Sequence, residues 1–287
     1  MLGMPDDKFV IKCAFRVKRF QRGSVGGPAE GVRMADIAVL LKQVPDTNAK
    51  ILVSGNRVDE TAVSKWSMSP YDEFALEAAL QSKESTGGSV TVITCGPARA
   101  AKMLTDAAAV GADNLMHITV DDLTTLDSLQ VQSLLAAGIE KSGAEIVFCG
   151  KQAADTNAGS TGPGVAELMG IGCATMISEV TIEGDSCTAL RPTVDGAERI
   201  GMTVPCVLAF DKTQTVLRRP NVKGIMMAKR KKIESVTPED LGVDLGTAQV
   251  IIGSHAAPAQ KPAGQKFEGA ESVPEVVAKL REEAKVL

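Results

Sequence analysis

Glu145-Ile146-Val147-Phe148-Cys149-Gly150-Lys151-Gln152-Ala153-Ala154-Asp155-Thr156-Asn157-Ala158-Gly159-Ser160-Thr161-Gly162-Pro163 is the stretch that decides the fold of this chain. Residues 145–149 form a short apolar run of the kind that makes a buried strand. A helix is expected to begin near Gly162, with Pro163 at an early position where a missing N–H costs little. Between them, Gly150 to Thr161 is small and polar. A strand entering a helix through such a loop gathers free backbone donors and the positive end of the helix dipole, which suits an anion such as a phosphate. The same residue types also populate ordinary connections for conformational reasons. Their order matches neither a Walker A loop nor G-x-G-x-x-G, so the loop alone leaves both readings open.

Upstream, the chain repeats the same alternation. Ile37 to Leu41 and Gly88 to Cys95 read as buried strands. Between them Ser69 and Pro70 start a helix as N-cap and first residue, with Tyr71, Phe74, Ala75 and Ala78 at helical spacing and Asp72 and Glu73 in the first turn. Gly96-Pro97 opens a second helix that ends at Gly111. Leu115 to Val120 is a third strand and Leu126 to Lys141 a third helix. The pattern predicts an α/β fold, doubly wound, with a mostly parallel sheet and helices on both faces. Ligands of such sheets bind outside the carboxyl ends of the strands. Three loops at those ends, Lys42 to Asp46, Gly96-Pro97 and Gly150 to Thr161, are therefore candidates for one pocket.

The second half is different in character. Met176 to Ile182, Cys187 to Arg191, Ile200 to Val204 and Val207 to Phe210 are β-like, with turn signals at Gly184-Asp185 and Asp195-Gly196, so hairpins are expected to finish the sheet. Beyond Pro220 come a basic run, Lys229-Arg230-Lys231-Lys232, a linker rich in Gly, Ala, Pro and Gln from Gly253 to Gly269, and a short helix. Val273, Val276, Val277 and Leu280 share one face of that helix, with Ser272 as its cap. An apolar face at the end of a linker needs a surface to pack on, and a partner subunit is one source of it. Residues 1–33 are an extension rich in Lys and Arg, excluded from the fold; 34–220 form the nucleotide-binding type domain, and 221–287 the arm.

Composition removes several function classes. The chain of 287 residues has a formal net charge of -4 and 3% aromatic residues, which argues against nucleic-acid binding by a basic surface or by stacking platforms. Four basic residues in an acidic chain read as a solvated face or a docking patch. Six cysteines lack any C-x-x-C pair and there are two histidines, so no standard metal site is expected. The thiols read as reduced and mostly buried, which suits the cytoplasm; the mitochondrial matrix is less expected, because Asp6 and Asp7 disfavour a transit peptide in the basic extension. No apolar run approaches the roughly 20 residues that span a bilayer, so no membrane insertion is expected. No nucleophile is spaced with a base, His117 falls in a strand, and Lys42-Gln43-Val44-Pro45-Asp46 is not the Ser-Gly-Gly-x-Asp-Ser loop of an ATP pyrophosphatase. Catalytic residues are therefore not expected.

A set of motifs then acquires a common meaning. Lys42 to Asp46, Met68-Ser69-Pro70-Tyr71-Asp72-Glu73-Phe74-Ala75-Leu76-Glu77, Cys95-Gly96-Pro97, Gly111-Ala112-Asp113, Gly150-Lys151-Gln152, Val204-Pro205-Cys206-Val207, Gly224 to Ile233 and Asp240 to Leu245 occur in one order and spacing. From about Met34 onward the chain closely resembles the beta subunits of electron-transfer flavoproteins. The resemblance implies a heterodimer with an alpha subunit that mainly holds the FAD. It also implies an AMP, or in bifurcating members reacting with NADH a second FAD, in this subunit. Carried over, the nucleotide pocket comprises Leu40, Ser69, Pro70, Tyr71, Asp72, Cys95 and Gly150, Lys151, Gln152, Ala153, Ala154, Asp155, Thr156, Asn157, Ala158, Gly159, Ser160 and Thr161. A docking segment for an acyl-CoA or related dehydrogenase would include Arg218, Arg219, Asn221, Val222 and Lys223.

The departures from the family pattern are specific. Ser69 stands where the family usually has Asn, and Gly159-Ser160-Thr161-Gly162 where members with AMP tend to carry Asn-Gln-Thr-Gly. Bifurcating members tend to read Asp-Gly-Asp-Thr-x-Gln-Val-Gly-Pro; Asp155, Gly162 and Pro163 fit, while Ala158 and Ser160 replace the Thr and Gln. Retention of Thr161 and loss of those side chains lean toward AMP. The family's Arg-acid latch for the partner's flavin domain appears as Arg191-Pro192, so the latch would hold only if Asp195 replaces the missing acid, and Val222 takes the place of the docking Leu. The expected function is that of an electron-carrier subunit; an adenine-nucleotide-binding regulatory module is the alternative from another class.

Overall fold

Ile37-Ala38-Val39-Leu40 carries no polar residue on either face, so it is stable only as a strand covered from both sides. The computed structural model, which describes residues 34–260 and 263–286, places it as β1 with all four residues buried. Ile37 and Val39 join one apolar core and Ala38 and Leu40 the other, as a period of 2 demands. The extension 1–33 lies outside the described residues.

Two short strand pairs follow β1: β2 (Gln43–Pro45) with β5 (Trp66–Met68), and β3 (Val53–Ser54) with β4 (Arg57–Val58). Then come α1 (Pro70–Thr86), β6 (Val90–Gly96), α2 (Ala101–Val110), β7 (Asn114–Thr119), α3 (Ser128–Ser142), β8 (Ile146–Gly150) and α4 (Thr161–Met169). The second half supplies β9 (Gly172–Ile177), β10 (Glu179–Glu183), β11 (Ser186–Thr193), β12 (Gly196–Thr203), β13 (Cys206–Phe210), α5 (Val222–Ala228), β14 (Glu234–Val236) and α6 (Val273–Glu282).

The main sheet has 7 strands in the order β14-β7-β6-β1-β8-β13-β9, and every neighbouring pair is parallel. Leu76 and Leu80 of α1 and Met103 and Leu104 of α2 cover one face; Leu134 and Ile139 of α3 and Val165 and Met169 of α4 cover the other. The doubly wound α/β fold is thus as the alternation predicts.

The hairpins do not finish the sheet, contrary to the sequence expectation. β10, β11 and β12 form a separate antiparallel sheet of 3 strands. The reason is in β11, where Cys187 and Ala189 are buried while Ser186 and Thr188 are exposed, a one-sided pattern that a strand inside a covered sheet cannot have. β13, buried at all 5 positions, is the segment that inserts between β8 and β9. The arm also returns to the sheet: β14 pairs with β7 at its edge, and residues 222–228, where no helix was expected, are helical because Asn221 accepts from Gly224 N at 2.7 Å as an N-cap.

The first reversal of strand order lies at β1. From β1 the chain moves outward through β6 and β7, then crosses back to place β8 on the other side of β1. The crevice between the carboxyl ends of β1 and β8 is the topological switch point.

Candidate nucleotide-binding site

The start of α1 is built onto this crevice. Ser69 N donates to Lys42 O at 3.0 Å, so the helix begins where β1 ends. Asp72, in its first turn and buried, accepts from Lys42 N with Oδ2 at 2.7 Å and from Gly150 N with Oδ1 at 3.0 Å. One carboxylate therefore joins the ends of β1 and β8. Burial pushes its pKa up to about 7, against the opposing pull of those two N–H groups and of the Lys42 charge. The approach is so close that a Cβ on Gly150 would lie 2.4 Å from Asp72 Oδ1 and 2.8 Å from the Tyr71 carbonyl carbon. Glycine at 150 is thus dictated by contact, not by a turn.

Ser69 corrects one expectation. It occupies the N-cap position of α1, yet its side chain makes no capping bond. Its Oγ is buried and has no hydrogen-bond partner among the described residues. Buried hydroxyls are ordinarily satisfied, so this one, fully buried at the start of α1, stands out as an unspent donor and acceptor. On the β2 side, Gln43 Nε2 donates to Arg99 O at 3.1 Å while Gln43 Oε1 and Arg99 Nε are likewise unpartnered. The Arg99 guanidinium lies 3.9 Å over the ring of Trp66.

The loop after β8 is held at both ends. Lys151 N donates to Phe210 O at 2.7 Å, and Asn157, at φ 51°, donates its N–H to Ala153 O and accepts from Gln152 Nε2 at 2.9 Å. Gln132 of α3 donates to Ser160 O at 3.0 Å. The amides of Thr161 and Gly162, in the first turn of α4, have no intrahelical acceptor, which leaves them for an anion. Two lysines at the mouth are already paired: Lys42 Nζ with Asp155 at 2.8 Å, and Lys151 Nζ with Asp211 at 2.9 Å, 4.7 Å over the Tyr71 ring. With both lysines paired, the polar groups left at the mouth are the amides and the Ser160 and Thr161 hydroxyls. Gly162 has a separate constraint, since a Cβ would lie 2.8 Å from Cys149 Sγ. Gly162→Val is therefore expected to push α4 off β8 and lower the nucleotide content of the purified protein; unchanged occupancy by mass spectrometry would place the cradle elsewhere.

The structure brings Leu40, Ser69 to Asp72 and Gly150 to Thr161 together at the β1/β8 crevice, with Cys95 one strand away at the end of β6. Burial pushes the Cys95 thiol up to about 12 and raises that of Cys149 as well, so both line the site as neutral groups. His117 is buried with its ring Nε2 2.9 Å from Gly96 O, a structural contact. The bridging role of Asp72 leaves no signal in the sequence beyond its place in the first turn of α1.

The docking segment divides. Val222, Lys223, Asn221 and Arg219 are exposed, whereas Arg218 reaches back to Glu77 and Glu84 of α1. Arg191 faces Glu198, its cross-strand neighbour, at 3.3 Å, and Asp195 sits in the β11–β12 turn. Glu198 is thus the acid beside Arg191.

The family model described as "Electron transfer flavoprotein domain" matches residues 58–241. The chain belongs to the electron transfer flavoprotein family. It is 33% identical to "Electron transfer flavoprotein subunit beta" of Bacillus subtilis, over 88% of this chain and 100% of that protein. The human protein of the same name is 37% identical over 87% and 98%, and that of Thermoanaerobacterium thermosaccharolyticum 36% over 86% and 96%. Membership in the electron transfer flavoprotein beta subunits implies a role in electron transfer. No helix among the described residues is long and apolar enough to cross a membrane.

Proposed function

We propose that the chain is the beta subunit of a heterodimer, that it binds AMP in the β1/β8 crevice, and that it docks the electron-donating dehydrogenase through α5. The observation that carries the nucleotide reading is the buried, unpartnered Ser69 Oγ beside the strand ends braced by Asp72. These residues fit an adenine nucleotide: amides at α4 and hydroxyls at 160 and 161 for phosphate, and an unpartnered buried hydroxyl at Ser69. FAD, held mainly by the alpha subunit, supplies the electron-carrying chemistry. This chain's residues bind, orient and dock.

The test is to purify the heterodimer, denature it and identify the released nucleotides. One AMP and one FAD per heterodimer is the expected result. Two FAD and no AMP would favour the bifurcating reading, and no nucleotide beyond one FAD would remove this subunit's pocket.

Docking is supported by what α5 displays. Val222, Ile225, Met226 and Met227 are all exposed, an apolar cluster flanked by Lys223, Lys229 and Arg230. Lys231 is not part of an open basic stripe, since its ammonium donates to Ala112 O and burial lowers its pKa. The basic run therefore suits an acidic protein rim better than a nucleic-acid backbone. Val222→Asp is expected to slow electron exchange with the dehydrogenase about tenfold while assembly and nucleotide content hold, because burying a Val-sized group is worth about 1.5 kcal/mol. A wild-type transfer rate would show that α5 is not the recognition element.

A further inference from the structure

Glu77 lies in the middle of α1, where a charged side chain belongs in water, and yet it is 4% exposed. Such a carboxylate persists only if it is paired and fully hydrogen-bonded. Arg218, 141 positions away in sequence, does both: its Nε and Nη2 reach Glu77 at 3.0 and 2.8 Å, and its own backbone N–H donates to Glu77 Oε2 at 3.0 Å. Gln81 Nε2 adds a further bond to Glu77 at 3.0 Å. Burial works to raise the Glu77 carboxyl, but the bonds from Arg218 more than offset it and hold the group below its ordinary range. The other side of the guanidinium takes Glu84.

What this anchors is the segment that runs from the end of β13 to α5. Four residues after Arg218 begins the exposed apolar cluster, and two residues further on Gly224 lies so close to α2 that a Cβ would sit 2.3 Å from Ala109 O. The docking helix is thus pinned within its first turn by Gly224 and ahead of it by Arg218, with Val222 displayed between the two pins.

We infer that Glu77 and Arg218 are a positioning pair that sets the display of Val222 and the rest of α5 for the partner dehydrogenase. Arg218 does not face the partner as a docking charge; it acts through the backbone it holds. A bidentate guanidinium fixes both place and orientation, which a lysine in its position would do only in part. The pair fixes beforehand a conformation that would otherwise be ordered at a cost on binding. This inference rests on the reading of α5 as the docking element.

The experiment uses the complete heterodimer and, as probe, a purified acyl-CoA dehydrogenase that reduces the wild-type protein, with the flavoprotein as the varied substrate. In Arg218→Gln the KM for the flavoprotein should rise about tenfold with kcat within about a factor of two, and Arg218→Lys should recover part of the loss. Tryptic cleavage after Lys223 in the isolated heterodimer should quicken in the same order of variants. Arg218→Gln leaves Glu77 buried without its partner and risks misfolding. The double variant Glu77→Leu/Arg218→Met, apolar and similar in volume, removes the pairing while keeping the packing; it should show the same rise in KM. An unchanged KM in the folded Arg218 variants or in the double variant, with Val222→Asp still impaired, overturns the positioning role and spares the docking reading. An unchanged KM in Val222→Asp overturns the docking reading itself.

Discussion

Gly150→Ala is expected to lower the thermal midpoint of the heterodimer by roughly 6–12 °C and to empty the nucleotide pocket. The methyl group would lie 2.4 Å from Asp72 Oδ1 and 2.8 Å from the Tyr71 main chain, inside any allowed contact. None of these is the loose end of a flexible chain: Tyr71 presents backbone, and Asp72 is held by Lys42 N on its other oxygen. Either the start of α1 moves away from β8 or the carboxylate swings off both amides. Overpacking costs about 1–3 kcal/mol, and leaving buried donors unmade costs about 1–3 kcal/mol more, hence on the order of 3 kcal/mol or more in total. Gly201→Ala is the matched control, since a Cβ there meets nothing within 4 Å. Scanning calorimetry and nucleotide analysis of both variants decide the matter. Equal midpoints and equal nucleotide content for 150 and 201 would mean that the contact between α1 and β8 does not govern the site.

The same contact shows where sequence reading succeeds and where it stops. β1, β6, β7 and β8 were legible because strands covered on both faces are mostly apolar, and the helices that follow β1, β6 and β8 are marked by Ser69-Pro70, by Gly96-Pro97 with Gly111, and by Gly162-Pro163. Local chemistry dictates these elements. β13 was legible as a strand, but not its insertion between β8 and β9, because strand order is a property of the crossovers and leaves no periodic trace. α5 was hidden for another reason: Val222-Lys223-Gly224-Ile225-Met226-Met227 has a glycine in its first turns and too few residues for a helical period to show. At the site, the loop and the α1 start could be named from motifs. The pairing of Asp72 with Gly150 and of Glu77 with Arg218 could not, since each joins residues 78 or 141 positions apart and depends on the fold being formed.

Asp72→Asn is expected to change how stability depends on pH as well as its size. Both oxygens of Asp72 accept backbone N–H groups, so an amide, with one acceptor and one donor, must set its NH2 against Lys42 N or Gly150 N. A loss of about 1–3 kcal/mol follows at any pH. On top of it lies a titrating contribution. Burial raises the Asp72 pKa from 3.8 to about 7 in the folded protein. Between those values the folded chain keeps a proton that the unfolded chain has released, so the stability Asp72 contributes is fully present below about pH 4 and is lost as pH rises toward 7. The amount is on the order of 4 kcal/mol at about 1.4 kcal/mol per unit. The amide introduced by the substitution does not titrate, and the remaining ionisable groups, including Glu77 and Asp127 whose pKa values are lowered, contribute equally to both proteins and cancel in the difference. Urea unfolding of the two heterodimers at pH 5, 6, 7 and 8 should therefore show a gap that is widest at pH 5 and narrows until about pH 7, then stays constant. A gap that stays flat from pH 5 to 8 would mean that the two amides and Lys42 dominate over burial and hold Asp72 as a carboxylate throughout. In that case the brace between β1 and β8 is a fixed negative charge, and phosphate binding beside it would depend on Lys42 and Lys151 leaving their present partners.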